Sequence, residues 1–182
     1  MTELHLPWLE ICVLLPLIGA IWVGRIKDSD FARLHCLFFT LLTFAFALGT
    51  WFDFIAMRAS EAQDRFHLTS LLFRREMLQI DEISAPLLPL TALLFALTAI
   101  ATVRSKARRF SFSWTLLSEA ITLATFCCKE PWLVIVFLGL ATIPPFLELR
   151  ARSRSANMYL AHMGLFIVLM VIGWGIAQSE GS

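Results

Sequence analysis

Six apolar stretches, at residues 7–24, 34–55, 84–103, 112–128, 131–148 and 157–177, follow one another along the chain, separated by polar breaks. A helix needs about 20 mostly apolar residues to cross the hydrocarbon core of a bilayer, and each stretch meets or nearly meets that length. The pattern predicts an all-α polytopic membrane bundle of about six transmembrane helices, forming a single membrane domain over 1–182. The breaks are Arg25-Ile26-Lys27-Asp28, a longer polar stretch from about 57 to 82, Arg104-Ser105-Lys106-Ala107-Arg108-Arg109, Lys129-Glu130, and Arg150-Ala151-Arg152-Ser153-Arg154. Apart from the second they are short, as between neighbouring helices of a bundle.

Composition strengthens this reading. The chain is 58% hydrophobic and 16% charged, against about half and about a quarter in ordinary soluble domains. The net charge of +1 offers no basic or acidic surface, so a lipid bilayer and no nucleic acid is the expected partner. Met1-Thr2-Glu3-Leu4-His5 carries an acid where a signal peptide needs basic residues, and the first apolar segment is expected to be retained.

Orientation follows from Lys and Arg, which accumulate on the cytoplasmic side. The first, third and fifth connections hold three, four and three of them, whereas the N-terminal tail, the fourth connection and the C-terminal tail hold none, one and none. The odd connections are therefore expected in the cytoplasm and both termini on the non-cytoplasmic side of the cell inner (cytoplasmic) membrane. In the long second connection, Arg58, Arg65, Arg74 and Arg75 are mixed with Glu61, Asp64, Glu76, Asp81 and Glu82.

Few chemical groups lie inside the spans. Glu119 falls about 10 Å into the fourth helix, whereas Asp53 and Glu148 sit at helix ends where interfacial solvation suffices. An ionisable group at that depth marks a proton path, or else is a protonated carboxyl hydrogen-bonded to a neighbouring helix. His162, one turn into the sixth helix, is a further candidate. With His35 it could in principle hold a haem, although an interfacial histidine is the commoner case. Pro144-Pro145 removes two backbone donors, which frees carbonyls near Leu140 and Ala141 beside Thr142 and predicts a kink. Gly19 and Gly24, and Trp174 between Gly173 and Gly175, suit close helix packing and interfacial anchoring. Cys12, Cys36, Cys127 and Cys128 form no C-x-x-C pair, so they read as small apolar residues, with no metal site and no cofactor expected.

The segment Ile80-Asp81-Glu82-Ile83-Ser84-Ala85-Pro86-Leu87-Leu88-Pro89-Leu90-Thr91-Ala92-Leu93-Leu94 resembles the D-G-I-S-x-P-L and L-L-T-A-L-L pattern of the chain M family, antiporter-like membrane subunits of the proton-pumping NADH-quinone oxidoreductase (complex I). Leu116-Leu117-Ser118-Glu119-Ala120 is similar to the family's L-L-x-E-A, Glu130 to the acid that ends that helix, and Ile143-Pro144 to the next I-P. The resemblance covers roughly 78–177, with a looser match at Pro16-Leu17-Ile18-Gly19-Ala20 and none over 26–77.

The resemblance implies a membrane subunit, or the N-terminal part of one, that holds no redox centre and couples electron transfer elsewhere in the complex to proton movement. Its partners would be other membrane subunits. In the family a Glu in the pattern F-x-E-x-x-x-I-P pairs with a Lys two helices later. Here Gly139 occupies that position, in Phe137-Leu138-Gly139-Leu140-Ala141-Thr142-Ile143-Pro144, and no predicted span contains Lys. Six helices are fewer than the fourteen the family implies, so the chain alone is not expected to contain the whole pathway. The proton-path candidates are Glu119, Thr142 and His162, and the alternative reading is a non-pumping membrane anchor or assembly subunit.

Overall fold

The computed structural model describes residues 2–58, 60–64, 78–102, 111–151 and 156–180. The charge clusters at 104–109 and 152–154, together with Arg65, His67, Arg74, Arg75 and Glu76, lie outside the described residues. Helices α1 (Trp8–Gly24), α2 (Ser29–Met57), α3 (Ser84–Ala101), α4 (Phe112–Cys127), α5 (Pro131–Ala141), α6 (Ile143–Ala151) and α7 (Asn157–Glu180) cover all six predicted stretches. The chain is an all-α membrane bundle.

Four spans, Ser29–Met57, Ser84–Ala101, Pro131–Arg150 and Asn157–Ser179, are long and apolar enough to cross a bilayer. Helices α1 and α4 are shorter, at 17 and 16 residues, or about 25 Å at 1.5 Å per residue. They are inner helices: α1 packs between α2 and α4, and α3 closes the group against α2 and α4. Outside this core α5 leans on α4, and α7 leans on α5.

The close approach of α1 and α2 depends on two glycines. A Cβ on Gly19 would fall 2.7 Å from Phe39 Cγ, and one on Gly49 would fall 2.7 Å from Trp8 Cζ3. Packing at Gly19 thus matches its expected use, whereas a Cβ on Gly173 or Gly175 would meet nothing within 4 Å. Polar contacts fix which helix ends share a side. Arg33 Nη2, near the start of α2, donates to the Ile100 carbonyl near the end of α3 (3.0 Å), and Ser113 Oγ at the start of α4 donates to Ala20 O near the end of α1 (2.7 Å).

The structure departs from the hydropathy reading in three places. Helix α2 begins at Ser29 rather than 34, because Asp28 caps it by accepting the Asp30 N–H (2.9 Å). The fifth stretch is two helices, α5 and α6, divided at Thr142 where the proline pair interrupts the ladder. A small sheet also appears, in which β1 (Thr2–Leu4) pairs parallel with β2 (Glu61–Asp64) and β2 antiparallel with β3 (Ile80–Asp81).

This sheet closes one end of the bundle with acids. Pro7 supplies no capping side chain to α1, and Asp64 of β2 substitutes by accepting the N–H groups of Leu9 (3.2 Å) and Glu10 (3.0 Å). Asp53, expected to need only interfacial solvation, accepts from His5 N (3.0 Å), His5 Nδ1 (2.7 Å) and Trp8 Nε1 (3.0 Å). It therefore ties the N-terminal strand and α1 to the end of α2.

Asp81 starts α3 by a reciprocal exchange. Its Oδ1 accepts the N–H of Ser84 (2.6 Å) and of Ile83 (3.2 Å), and its own N–H donates to Ser84 Oγ (2.9 Å). These bonds, the Ser84 N–H foremost, hold the Asp81 carboxyl below its ordinary value of 3.8. A carboxyl lowered by folding stabilises fully above its unfolded value, and that stabilisation is lost as pH falls through the folded one. Asp81→Ala is expected to cost about 1 kcal/mol at neutral pH. In thermal unfolding the gap from the parent protein should narrow only in acid below pH 3.8; a gap independent of pH there would show that the charge contributes nothing.

Candidate functional site

The interior of the four-helix core is divided into two apolar clusters. One, beneath the sheet, contains Leu9, Cys12, Ala47, Phe54, Leu88 and Leu123; the other, at the opposite end, contains Ala20, Val23, Cys36, Ala99, Phe112 and Leu116. Between them along the helices lie Pro16 of α1, Thr40 and Thr43 of α2, and Glu119 of α4. These three polar side chains have no exposed surface at all.

Glu119 carries the chemistry of this layer. Among the described residues neither of its carboxyl oxygens has a hydrogen-bond partner. It lies within electrostatic reach of Cys12 on α1 and Cys36 on α2, so it faces the centre of the core. An unpartnered carboxyl in such a place costs on the order of 1–3 kcal/mol, more if it is ionised.

Two buried hydroxyls lie in the same layer. The Thr40 hydroxyl donates to Leu37 O (3.1 Å) and the Thr43 hydroxyl to Phe39 O (2.9 Å). Each hydroxyl has its hydrogen engaged within α2 and an oxygen still able to accept. Pro16 has no N–H, which leaves the Cys12 carbonyl without its usual helical donor. Towards the sheet, Cys12 Sγ and Thr50 Oγ1 stand 3.6 Å apart, and Cys12 lies within electrostatic reach of both Glu119 and Asp64.

Of the other predicted site residues, Gly139 and Thr142 lie together at the α5–α6 break. Gly139 lies against α7: a Cβ there would meet Ile167 Cδ1 at 3.8 Å, an ordinary contact. Thr142 donates its hydroxyl to Gly139 O (2.7 Å), and its carbonyl accepts from Tyr159 OH (3.1 Å), which pins the α5–α6 break to α7. His162 is exposed on α7 with Nδ1 2.8 Å from Met158 O, and His35 is partly buried on α2 with Nδ1 2.9 Å from Phe31 O. Cys12, Cys36 and Cys127 are buried free thiols and Cys128 is partly buried. Among the described residues no group of three or more His, Cys, Asp or Glu side chains is placed to hold a metal.

Thr40, Thr43, Asp53 and Asp64 were not legible as functional or framework residues. For the threonines a signal existed: Ala32, Cys36, Thr40, Thr43, Ala47, Thr50 and Phe54 alternate at spacings of four and three, and all are buried on one stripe of α2. Nothing in the sequence around Asp64 announces that it caps a helix 54 residues away.

A bundle of membrane-length apolar helices with the unpartnered carboxyl of Glu119 at the centre of its core defines the class as a polytopic membrane protein with a buried ionisable group in its interior. More particularly, the chain is similar over its whole length to curated proteins named NAD(P)H-quinone oxidoreductase chain 4. It is 26% identical over 194 residues to one from Synechococcus elongatus, covering 100% of this chain and 36% of the relative. It is 25% identical over 192 residues to one from Prochlorococcus marinus, covering 97% and 36%, and 26% identical over 184 residues to one from Synechocystis sp., covering 93% and 33%. No protein-family model matches the chain. The complex I resemblance read from residues 78–177 is thus borne out, and it extends through 26–77, where no motif was visible. The chain spans about a third of the length of these relatives.

Proposed function

We propose that this chain is part of an antiporter-like membrane subunit of a proton-translocating NAD(P)H-quinone oxidoreductase, coupling electron transfer elsewhere in the complex to proton movement, with Glu119 as its proton-bearing group. The observation that carries the reading is the fully buried carboxyl of Glu119, which has no hydrogen-bond partner among the described residues. A structural carboxyl at such depth would be expected to spend its oxygens on neighbours, whereas a proton carrier must keep them free to change partners. Similarity along the whole chain to NAD(P)H-quinone oxidoreductase chain 4 supports the same assignment.

Thr142 and His162 enter this reading as peripheral positions, Thr142 by fixing the break in the fifth span beside Gly139. The odd connections face the cytoplasm, the membrane is the cytoplasmic one, and the partners are other membrane subunits of the complex. If so, a tagged chain extracted in mild detergent should copurify with NADH-quinone reductase activity; recovery of the chain free of that activity would contradict the assignment. For orientation, Cys introduced at Ser105 should resist an impermeant thiol reagent in intact cells and Cys at Ser179 should react. The reverse labelling would invert the topology.

A second reading, a non-pumping anchor or assembly subunit, is favoured by Gly139 standing where the family pattern has Glu. Under the anchor reading Glu119 is dispensable for proton transport.

A further inference from the structure

Between α5 and α7 runs an open groove of about 500 Å³. Its walls are apolar, with Val134 and Ile135 on α5 and Met170 on α7, and Gly173 leaves it unfilled, since a Cβ there would touch nothing within 4 Å. Lys129 and Trp174 stand at one end. Lys129 is exposed, and among the described residues no carboxylate pairs with it.

We infer that this groove is a binding site for a phospholipid of the surrounding bilayer, with the lipid phosphate on the Lys129 ammonium and the upper part of an acyl chain along α5 and α7. The order of groups matches the lipid. Trp174 beside Lys129, with exposed Trp132 one residue into α5, marks the headgroup level. From Pro131 to Ile135 the apolar wall descends about 6 Å into the hydrocarbon region. A lysine is a compact donor suited to phosphate, and its position at the mouth of an otherwise apolar slot complements a ligand charged at one end only. The described lining holds this one cation and no acid, which suits an anionic headgroup at the mouth.

The test uses the full chain in its native complex, reconstituted in nanodiscs with phosphatidylglycerol bearing a diazirine on its acyl chain. Cross-links mapped by peptide mass spectrometry should concentrate on 131–135 and 169–174, exceed those at Leu165 and Phe166 on the same helix, and be competed by unlabelled phospholipid. Lys129→Ala should reduce groove labelling about ten-fold, Lys129→Arg should retain it, and a diacylglycerol probe lacking phosphate should not show the enrichment. Gly173→Leu should fill the slot and abolish labelling; if that variant does not fold, Lys129→Ala decides, because among the described residues no carboxylate pairs with Lys129. Labelling equal to that of Leu165 and Phe166, or unaffected by Lys129→Ala, would reduce the groove to ordinary lipid-exposed surface. Labelling of the groove below that of Leu165 and Phe166 in the assembled complex would show that protein, not lipid, covers it.

Discussion

Gly49→Leu should abolish stable folding of the bundle, and Gly49→Ala should lower its stability by about 1–3 kcal/mol. Even the Cβ of alanine would lie 2.7 Å from Trp8 Cζ3 and 2.9 Å from Cη2. The indole cannot turn aside freely, because its Nε1 is bonded to Asp53 (3.0 Å), which also holds His5. Moving the ring therefore loosens α1, α2 and the N-terminal strand together. Thermal unfolding of the purified protein measures the loss, and a double-mutant cycle locates it. Trp8→Leu makes room for the added methyl group, so Gly49→Ala combined with Trp8→Leu should destabilise by less than the sum of the two, by roughly 1 kcal/mol. Strict additivity would mean that the glycine is not there to admit the tryptophan.

Glu119→Leu should have the opposite sign. Most buried polar deletions destabilise by leaving a partner orphaned, but among the described residues the carboxyl of Glu119 has no hydrogen-bond partner to orphan. Replacing it with an apolar side chain of similar size removes a desolvated group, and the variant should gain about 1–3 kcal/mol or at least lose nothing. A carboxyl kept at a cost to stability is the trade expected of a functional group. If Glu119→Leu were instead to lower the unfolding temperature, the carboxyl would be serving the fold.

Helices were legible in the sequence because a bilayer demands long apolar segments whose backbones satisfy themselves. The bounds slipped where polar residues continued a helix past the hydrocarbon, as at Asp28–Arg33, where a cap and a carbonyl contact extend α2 by five residues. The sheet was not legible, since three short polar strands joined across long sequence gaps have no hydropathy signature. The Asp81 motif proved informative in a physical sense: the polar part of the string that resembles the complex I family is a reciprocal helix cap.

For the site, Glu119 stood out because its charge conflicts with its depth, a conflict visible in one dimension. Its neighbours did not stand out, because Thr40 and Thr43 are ordinary in an apolar helix until α1 and α4 are laid against it. The kink at Pro144-Pro145 was foreseen, yet Thr142 turns out to use its hydroxyl on its own helix and its carbonyl on Tyr159. Proximity in sequence placed it beside a freed carbonyl, and the fold adds its tie to α7 through Tyr159.

The central claim is that Glu119 carries a proton for a redox-driven translocation performed by a larger complex. Its most direct test is NADH-driven proton uptake into inverted membrane vesicles containing the assembled complex with Glu119→Gln, which preserves shape and removes the titrating group. The account predicts normal assembly and NADH-quinone reductase activity with proton uptake per NADH clearly reduced; normal assembly with unchanged proton uptake would contradict it.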